Sequence, residues 1–333
     1  MTTMEKIKPV DERKSIARIL ENLALSQEGI LFIIFVITVI ILTFSNENFL
    51  TTRNLYNQGR LLAEIGLMAL PMTFIIITGG IDLSVGSILG LSAILVGYVW
   101  KNLGLPLEVA IVIAILGGSL AGFINGLIIV RVNVPPLIMT LATLAFYRGL
   151  AEGISEARSV TGYPEWFFEL GQGTILGFPT QLWLLIISII IAAIVLHRTT
   201  LGRILYAIGN NAVGARFSGL PVNRVMLIIY TFSGFMAAVS GVIFVSRFTT
   251  TRSDMGSGLE LDAIAAVVLG GTSIFGGKGS IFGTVIGLLM IQLLKNGLAI
   301  NGVTSDATIV VIGCVLIVAI LVNNLIQQIR QRE

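Results

Sequence analysis

The sequence predicts an all-α polytopic membrane protein of about ten transmembrane helices, and three observations predict it. Mean hydropathy is +0.94. Hydrophobic residues make up 55% of the 333 and charged residues 12%, more apolar surface than a water-soluble core can bury. The apolar residues are also continuous. Between ionisable residues lie uncharged runs at 29–46, 65–81, 83–100, 109–130, 132–147, 170–196, 225–246, 263–277, 279–294 and 307–329, each near the roughly 20 residues that an α-helical span requires. A transmembrane barrel would show alternating segments of about ten residues instead.

Ahead of the first run, residues 1–28 are polar and charged, with no cleavage pattern of a signal peptide. Ile16, Ile19, Leu20 and Leu23 recur there at helical spacing beside Lys14 and Arg18, which predicts an interfacial helix. The second and third runs are separated by Asp82 alone, in Gly79-Gly80-Ile81-Asp82-Leu83-Ser84-Val85-Gly86-Ser87. A charge within hydrocarbon costs at least about 2.5 kcal/mol and marks function. The role expected here is structural: Asp82 caps the third span from the membrane boundary, and the paired glycines supply the turn. Glu64, Glu260 and Asp262 read as span-end residues in the same way. The runs at 132–147 and 263–277 are short, so they call for flanking residues or for broken helices held among neighbours.

Gly-Ser-x-x-Gly recurs at Gly86, Gly118 and Gly279, and small residues four apart let helices approach closely. The second and third copies are followed at one offset by Gly126-Leu127 and Gly287-Leu288, in the fourth and ninth runs. An inverted five-plus-five repeat would leave this trace. So would composition alone, in a chain with 37 glycines. Ser84, Ser87, Asn125 and Asn296 are the candidates for a translocation pathway, since asparagine donates and accepts hydrogen bonds without charge. Hydrogen bonding between helices is the competing role for them.

Enzymatic chemistry finds little support. His197 is the sole histidine and Cys314 the sole cysteine, so metal clusters, intramolecular disulfides and Ser–His–Asp or Cys–His schemes lack their parts. The stretch from Gly270 to Ser280 is rich in glycine but fails as a phosphate loop. A Walker loop ending in Gly277-Lys278 needs glycine where Thr272 stands and Ser or Thr where Gly279 stands. No cofactor is expected on this chain. The formal charge of +3 is explained by charged loops, and no basic and aromatic strip points to nucleic acid.

Lys and Arg set the orientation. Alternate connections, counted with the termini, hold most of the 21 basic residues, among them Lys14, Arg131, Arg203, Arg216 and Arg224. Both termini are therefore expected in the cytoplasm, and residues 152–181 outside. The division is a cytoplasmic segment at 1–28, a transmembrane domain at 29–329 with a cytoplasmic loop at 197–224, and a cytoplasmic tail at 330–333. That loop is too long for a membrane turn. Within it Asn211 reads as an N-cap, Gly219 as the left-handed C-terminal residue and Pro221 as a stop, enclosing a short helix in which Val213 and Phe217 share an apolar face. Such a helix suits a groove on another protein. A helix lying on lipid is the alternative.

Taken together, the 79–87 string, Thr200-Leu201-Gly202-Arg203, Ala207-Ile208-Gly209-Asn210-Asn211 and the 261–271 string Leu261-Asp262-Ala263-Ile264-Ala265-Ala266-Val267-Val268-Leu269-Gly270-Gly271 resemble the branched, ribose-type permeases of ATP-binding-cassette sugar importers. Arg252-Ser253-Asp254-Met255-Gly256 is more similar to the autoinducer-2 or rhamnose branch. The resemblance implies a bacterial plasma-membrane subunit in a pair of permease chains, identical or homologous. ATPase subunits that use the ATP would lie beneath and an extracytoplasmic solute-binding protein above. It implies that 207–221 couples to the ATPase, placing Gly209, Asn210, Asn211, Ala212, Val213, Gly214, Ala215, Arg216, Phe217 and Gly219 at that contact. Gly214 and Ala215 are expected to set how closely the surfaces approach. The other classes are a secondary transporter or channel, in which Asp82 would carry a coupling ion, and a structural subunit without a pathway.

Overall fold

The computed structural model describes residues 27–314 and 317; the helix expected within 1–28, most of the last run and the 330–333 tail lie outside them. Apolar helices dominate: α1 (Gln27–Ser45), α2 (Thr52–Ile77), α3 (Val85–Lys101), α4 (Leu107–Val132) and α5 (Pro136–Ser155), then α7 (Thr180–Arg198), α10 (Val222–Phe248), α11 (Leu259–Leu269), α12 (Ile281–Ile300) and α13 (Ser305–Cys314). Shorter helices lie in the connections, α6 (Glu165–Gln172), α8 (Thr200–Asn210) and α9 (Ala212–Phe217). Among the described residues six helices, α2, α4, α5, α7, α10 and α12, are long and apolar enough to cross a membrane.

Local chemistry sets the ends. Thr51 caps α2 by accepting from Asn54 N at 3.4 Å, and Ser280 caps α12 by accepting from Gly283 N at 3.0 Å. Asn133 ends α4 at φ 61°, and Pro135-Pro136 then start α5. Two runs are less helical than expected. Of 263–277 only the part to Leu269 is helix, because Gly271, Gly276 and Gly277 turn at φ 90°, 85° and 76°. Of 170–196 the first part is the end of α6 and a hairpin of β2 (Thr174–Ile175) with β3 (Phe178–Pro179), which turns at Gly177 with φ 78°.

At the centre stand α2, α10 and α12, largely buried, while α4, α5 and α7 leave most of their residues half-buried or exposed. Exposed rows such as Ile186, Ile187, Ile190, Ile191 and Ile194 on α7 suit lipid. The most extensive packing is of α10 on α4, where Gly122 and Gly234 abut and a Cβ at Gly122 would overlap Tyr230 O. The two matched Gly-Ser-x-x-Gly copies are not equivalent in place: Gly118 lies in mid-helix on α4, whereas Gly279 and Ser280 precede α12.

Contacts sort the connections into two groups. At one end the turn after α2, helix α8 and the 270–280 loop meet, through Gly277 N donating to Ile77 O at 2.9 Å and Tyr206 OH to Gly279 O at 2.7 Å. At the other end β1 (Val160–Thr161) pairs antiparallel with β4 (Thr250–Thr251), and Gln172 donates to Arg247 O at 2.8 Å.

Candidate translocation and coupling sites

The loop between α7 and α10 folds into the two helices α8 and α9. Asn211 Oδ1 accepts from Gly214 N at 2.8 Å and starts α9. Leu220 N donates to Ala215 O and Gly219 N to Arg216 O, both at 3.1 Å, with Gly219 at φ 78°. Val213 is 64% and Phe217 89% exposed, so one apolar face of α9 projects from the chain. Arg216 stands beside it, its Nη2 3.3 Å from Asn223 Oδ1.

Two residues expected at this contact, Ala215 and Gly209, pack against the chain's own atoms. Ala215 is buried, so its methyl packs into the chain itself. Gly209 is pressed between Ile77 and Gly277, and a Cβ there would overlap Ile77 O. A six-residue helix has room for one outward face, and Val213 and Phe217 occupy it. Burial pushes the Tyr206 phenol above its ordinary pKa, and its hydroxyl ties α8 to the 270–280 loop. That loop's glycines turn the chain, as Gly271, Gly276 and Gly277 do at positive φ, or pack against it, as Gly270 does on Gly283.

Asp82 is wholly buried among the helices. The residue before α3 is Ser84, whose side chain makes no cap, and Asp82 Oδ1 accepts from Ser84 N at 3.0 Å and Ser84 Oγ at 2.6 Å. The expected cap is thus replaced by a local turn joined to a network across helices. Ser233 Oγ of α10 donates to Oδ2 at 2.9 Å. Asn125 Nδ2 of α4 donates to Ser84 Oγ at 2.8 Å, and Tyr147 of α5 to Asn125 Oδ1 at 3.3 Å. Ser87 Oγ turns back to Ser84 O at 2.8 Å. Among the described residues no ion pair reaches Asp82, and its carboxyl is held by these hydrogen bonds.

Asn296 lies apart. It exchanges hydrogen bonds with Asn54 at 2.9 and 3.0 Å in an amide cluster with Gln58 and Gln292. Of the four pathway candidates, the fold gathers Ser84, Ser87 and Asn125 but not Asn296.

Three charged contacts went unread in the sequence. Glu64, 1% exposed inside α2, takes Arg247 Nε at 2.6 Å and Nη2 at 2.8 Å, with the guanidinium 4.0 Å above the Phe248 ring. Lys295 pairs with Asp262. Arg148 donates to Ser253 O at 2.6 Å and Met255 O at 2.7 Å. No group of metal-binding side chains occurs among the described residues, His197 included.

A family model described as branched-chain amino acid transport system / permease component matches residues 56–320. The chain is 42% identical over 289 residues to the ribose import permease protein of Bacillus subtilis (strain 168), covering 86% of this chain and 89% of that one. Identity to the ribose import permease protein of Escherichia coli (strain K12) is 38% over 307 residues, 90% of this chain and 94% of the other. The autoinducer 2 import system permease protein of Photorhabdus luminescens is 38% identical over 263 residues, 77% and 79% of the two chains. No solved structure matches.

Proposed function

Since the chain belongs to the family of branched-chain amino acid transport system permease components, we propose that it is the membrane-spanning subunit of an ATP-driven importer that carries a sugar or sugar-like solute into a bacterial cell. It is a multi-pass membrane protein. The relatives named for ribose and autoinducer 2 import support the solute class.

The observation that carries the ATP-driven reading is α9, a capped helix whose Val213 and Phe217 stand exposed beside Arg216 at the end where the α8 and 270–280 loops meet. This is the geometry of a helix set into a groove on a partner. ATP hydrolysis falls to that partner, and this chain holds no cofactor. An extracytoplasmic solute-binding protein delivers to the opposite end, and a second permease chain completes the pathway. Hydrogen bonds from Ser84 and Ser233 hold the Asp82 carboxyl in place, which supports a structural role for it.

Ten spans account for the two groups of connections: α1, α2, α3, α4, α5, α7, α10, α11, α12 and α13, with both termini, α8 and α9 in the cytoplasm. The packing of the inner helices supports a five-plus-five inverted repeat, while the contacts of α2 with α7 and of α12 with α1 have no comparable counterpart in the other half. Helix α2 packs on α10, α11 and α12, and α10 packs on α2, α3 and α4. Exchanging α2 with α10, α3 with α11 and α4 with α12 reproduces those pairings.

Phe217→Ala tests the coupling role. It removes an exposed ring that the chain's own core does not use, so membrane level should be normal while the recovered ATPase and solute uptake fall at least tenfold. Full ATPase recovery with normal uptake would refute the docking role. Ala215→Trp is the poorer test, because the indole would overfill the chain's own packing.

A further inference from the structure

Two of the apolar helices start well short of the ends of their neighbours. At α3, Leu89 O lies 2.6 Å from where a Cβ of Gly241 would stand. Gly86, one turn earlier, is therefore about 15 Å below the end of α10 at Phe248, taking 1.5 Å per residue. The chain after α10 comes down to that level. Thr251 Oγ1 stands 2.9 Å from a Cβ position at Gly97, Met255 O 2.7 Å from one at Gly90 and Gly256 O 2.6 Å from one at Gly86. Along α3 that is a descent of about 16 Å, and only then does α11 begin. Arg148 holds this irregular stretch in place through Ser253 O and Met255 O.

On the five-plus-five reading, α3 and α11 are the third spans of their halves. A pair of shortened helices in corresponding positions is where transporters of inverted topology place their solute site. The surface here is also wrong for lipid. Ser257 and Gly258 are exposed in non-helical backbone, and Leu261 beyond them is 55% exposed. Non-helical backbone at this depth persists only where protein covers it or water reaches it. Glu260 Oε2 lies against Gly86 with no hydrogen-bond partner among the described residues.

We infer that the solute crosses the membrane past the junction of α3 and α11, with Ser257 and Gly258 forming its wall. The wall offers the Ser257 hydroxyl and backbone groups, with the Glu260 carboxylate buried directly behind them against Gly86. The Arg148 guanidinium keeps its charge on the carbonyls of Ser253 and Met255, but the carboxylates of Glu260, Asp254 and Glu152 face it and leave no excess of positive charge to bind an anion. This chemistry suits a hydroxyl-rich solute without net negative charge. The inference rests on the transport reading above and adds where the path runs.

The test uses the assembled complex in membranes, with Cys314→Ser as background. Ser257→Cys should react with a hydrophilic, membrane-impermeant thiol reagent at least tenfold faster than Ile187→Cys, whose side chain faces lipid from α7. Ser257→Trp should keep membrane level and ATPase recovery while uptake falls at least tenfold. Equal reactivity of the two cysteines, or normal uptake in Ser257→Trp, overturns the inference. Failure to recover an ATPase with the parent chain would refute the importer reading separately, and the labelling comparison would still report whether water reaches Ser257.

Discussion

Arg247→Met should destabilise the protein by about 3–5 kcal/mol, the cost of stranding one partner of a buried ion pair. Glu64 is 1% exposed and both its oxygens are taken by Arg247, so water cannot replace the guanidinium without rearrangement of α2 and α10. Arg247 is itself 17% exposed, which places the expectation nearer the lower end. Loss of the cation over the Phe248 ring adds about 0.5–1 kcal/mol. Most of the penalty comes from the abandoned carboxylate, so Glu64→Gln in the same chain should return at least about 2 kcal/mol of it. Thermal unfolding in detergent of the parent, both single variants and the double variant closes the cycle. A double variant no more stable than Arg247→Met would refute the claim that the pair is energetically coupled.

Two further substitutions test the packing and the buried network. Gly122→Ala should lower stability by about 1–3 kcal/mol, since its Cβ would overlap Tyr230 O across the α4–α10 contact; an unchanged unfolding temperature would mean that the helices separate easily. Asp82→Asn keeps an oxygen for Ser84 and can donate to Ser233 if that hydroxyl turns, so membrane level and most uptake should survive. Loss of uptake with normal assembly would restore a role for the charge itself.

Much of this architecture was legible in the sequence because bilayer crossing is a local demand. A run such as 109–130 must satisfy its backbone internally whatever surrounds it, and so reads as a helix at once. The α9 helix was legible for a similar reason: Asn211, Gly219 and Pro221 act within a few residues of themselves. Charges marked the ends of the runs, and that rule hid what the tertiary structure decided. Glu64 looked like a boundary because its partner lies 183 residues away, and only packing of α2 against α10 places Arg247 beside it. Asp82 likewise looked like a cap until Ser233 and Asn125 arrived from two other helices. Ala215 and Phe217 are both apolar neighbours in one short helix, and composition could not say which faces inward. The depth at which α11 begins depends on Gly86, Gly90 and Gly97 of another helix admitting the chain. Residues act on hydrogen bonds and caps through their neighbours in sequence, but depth, burial and charge pairing are set by whichever helices pack alongside.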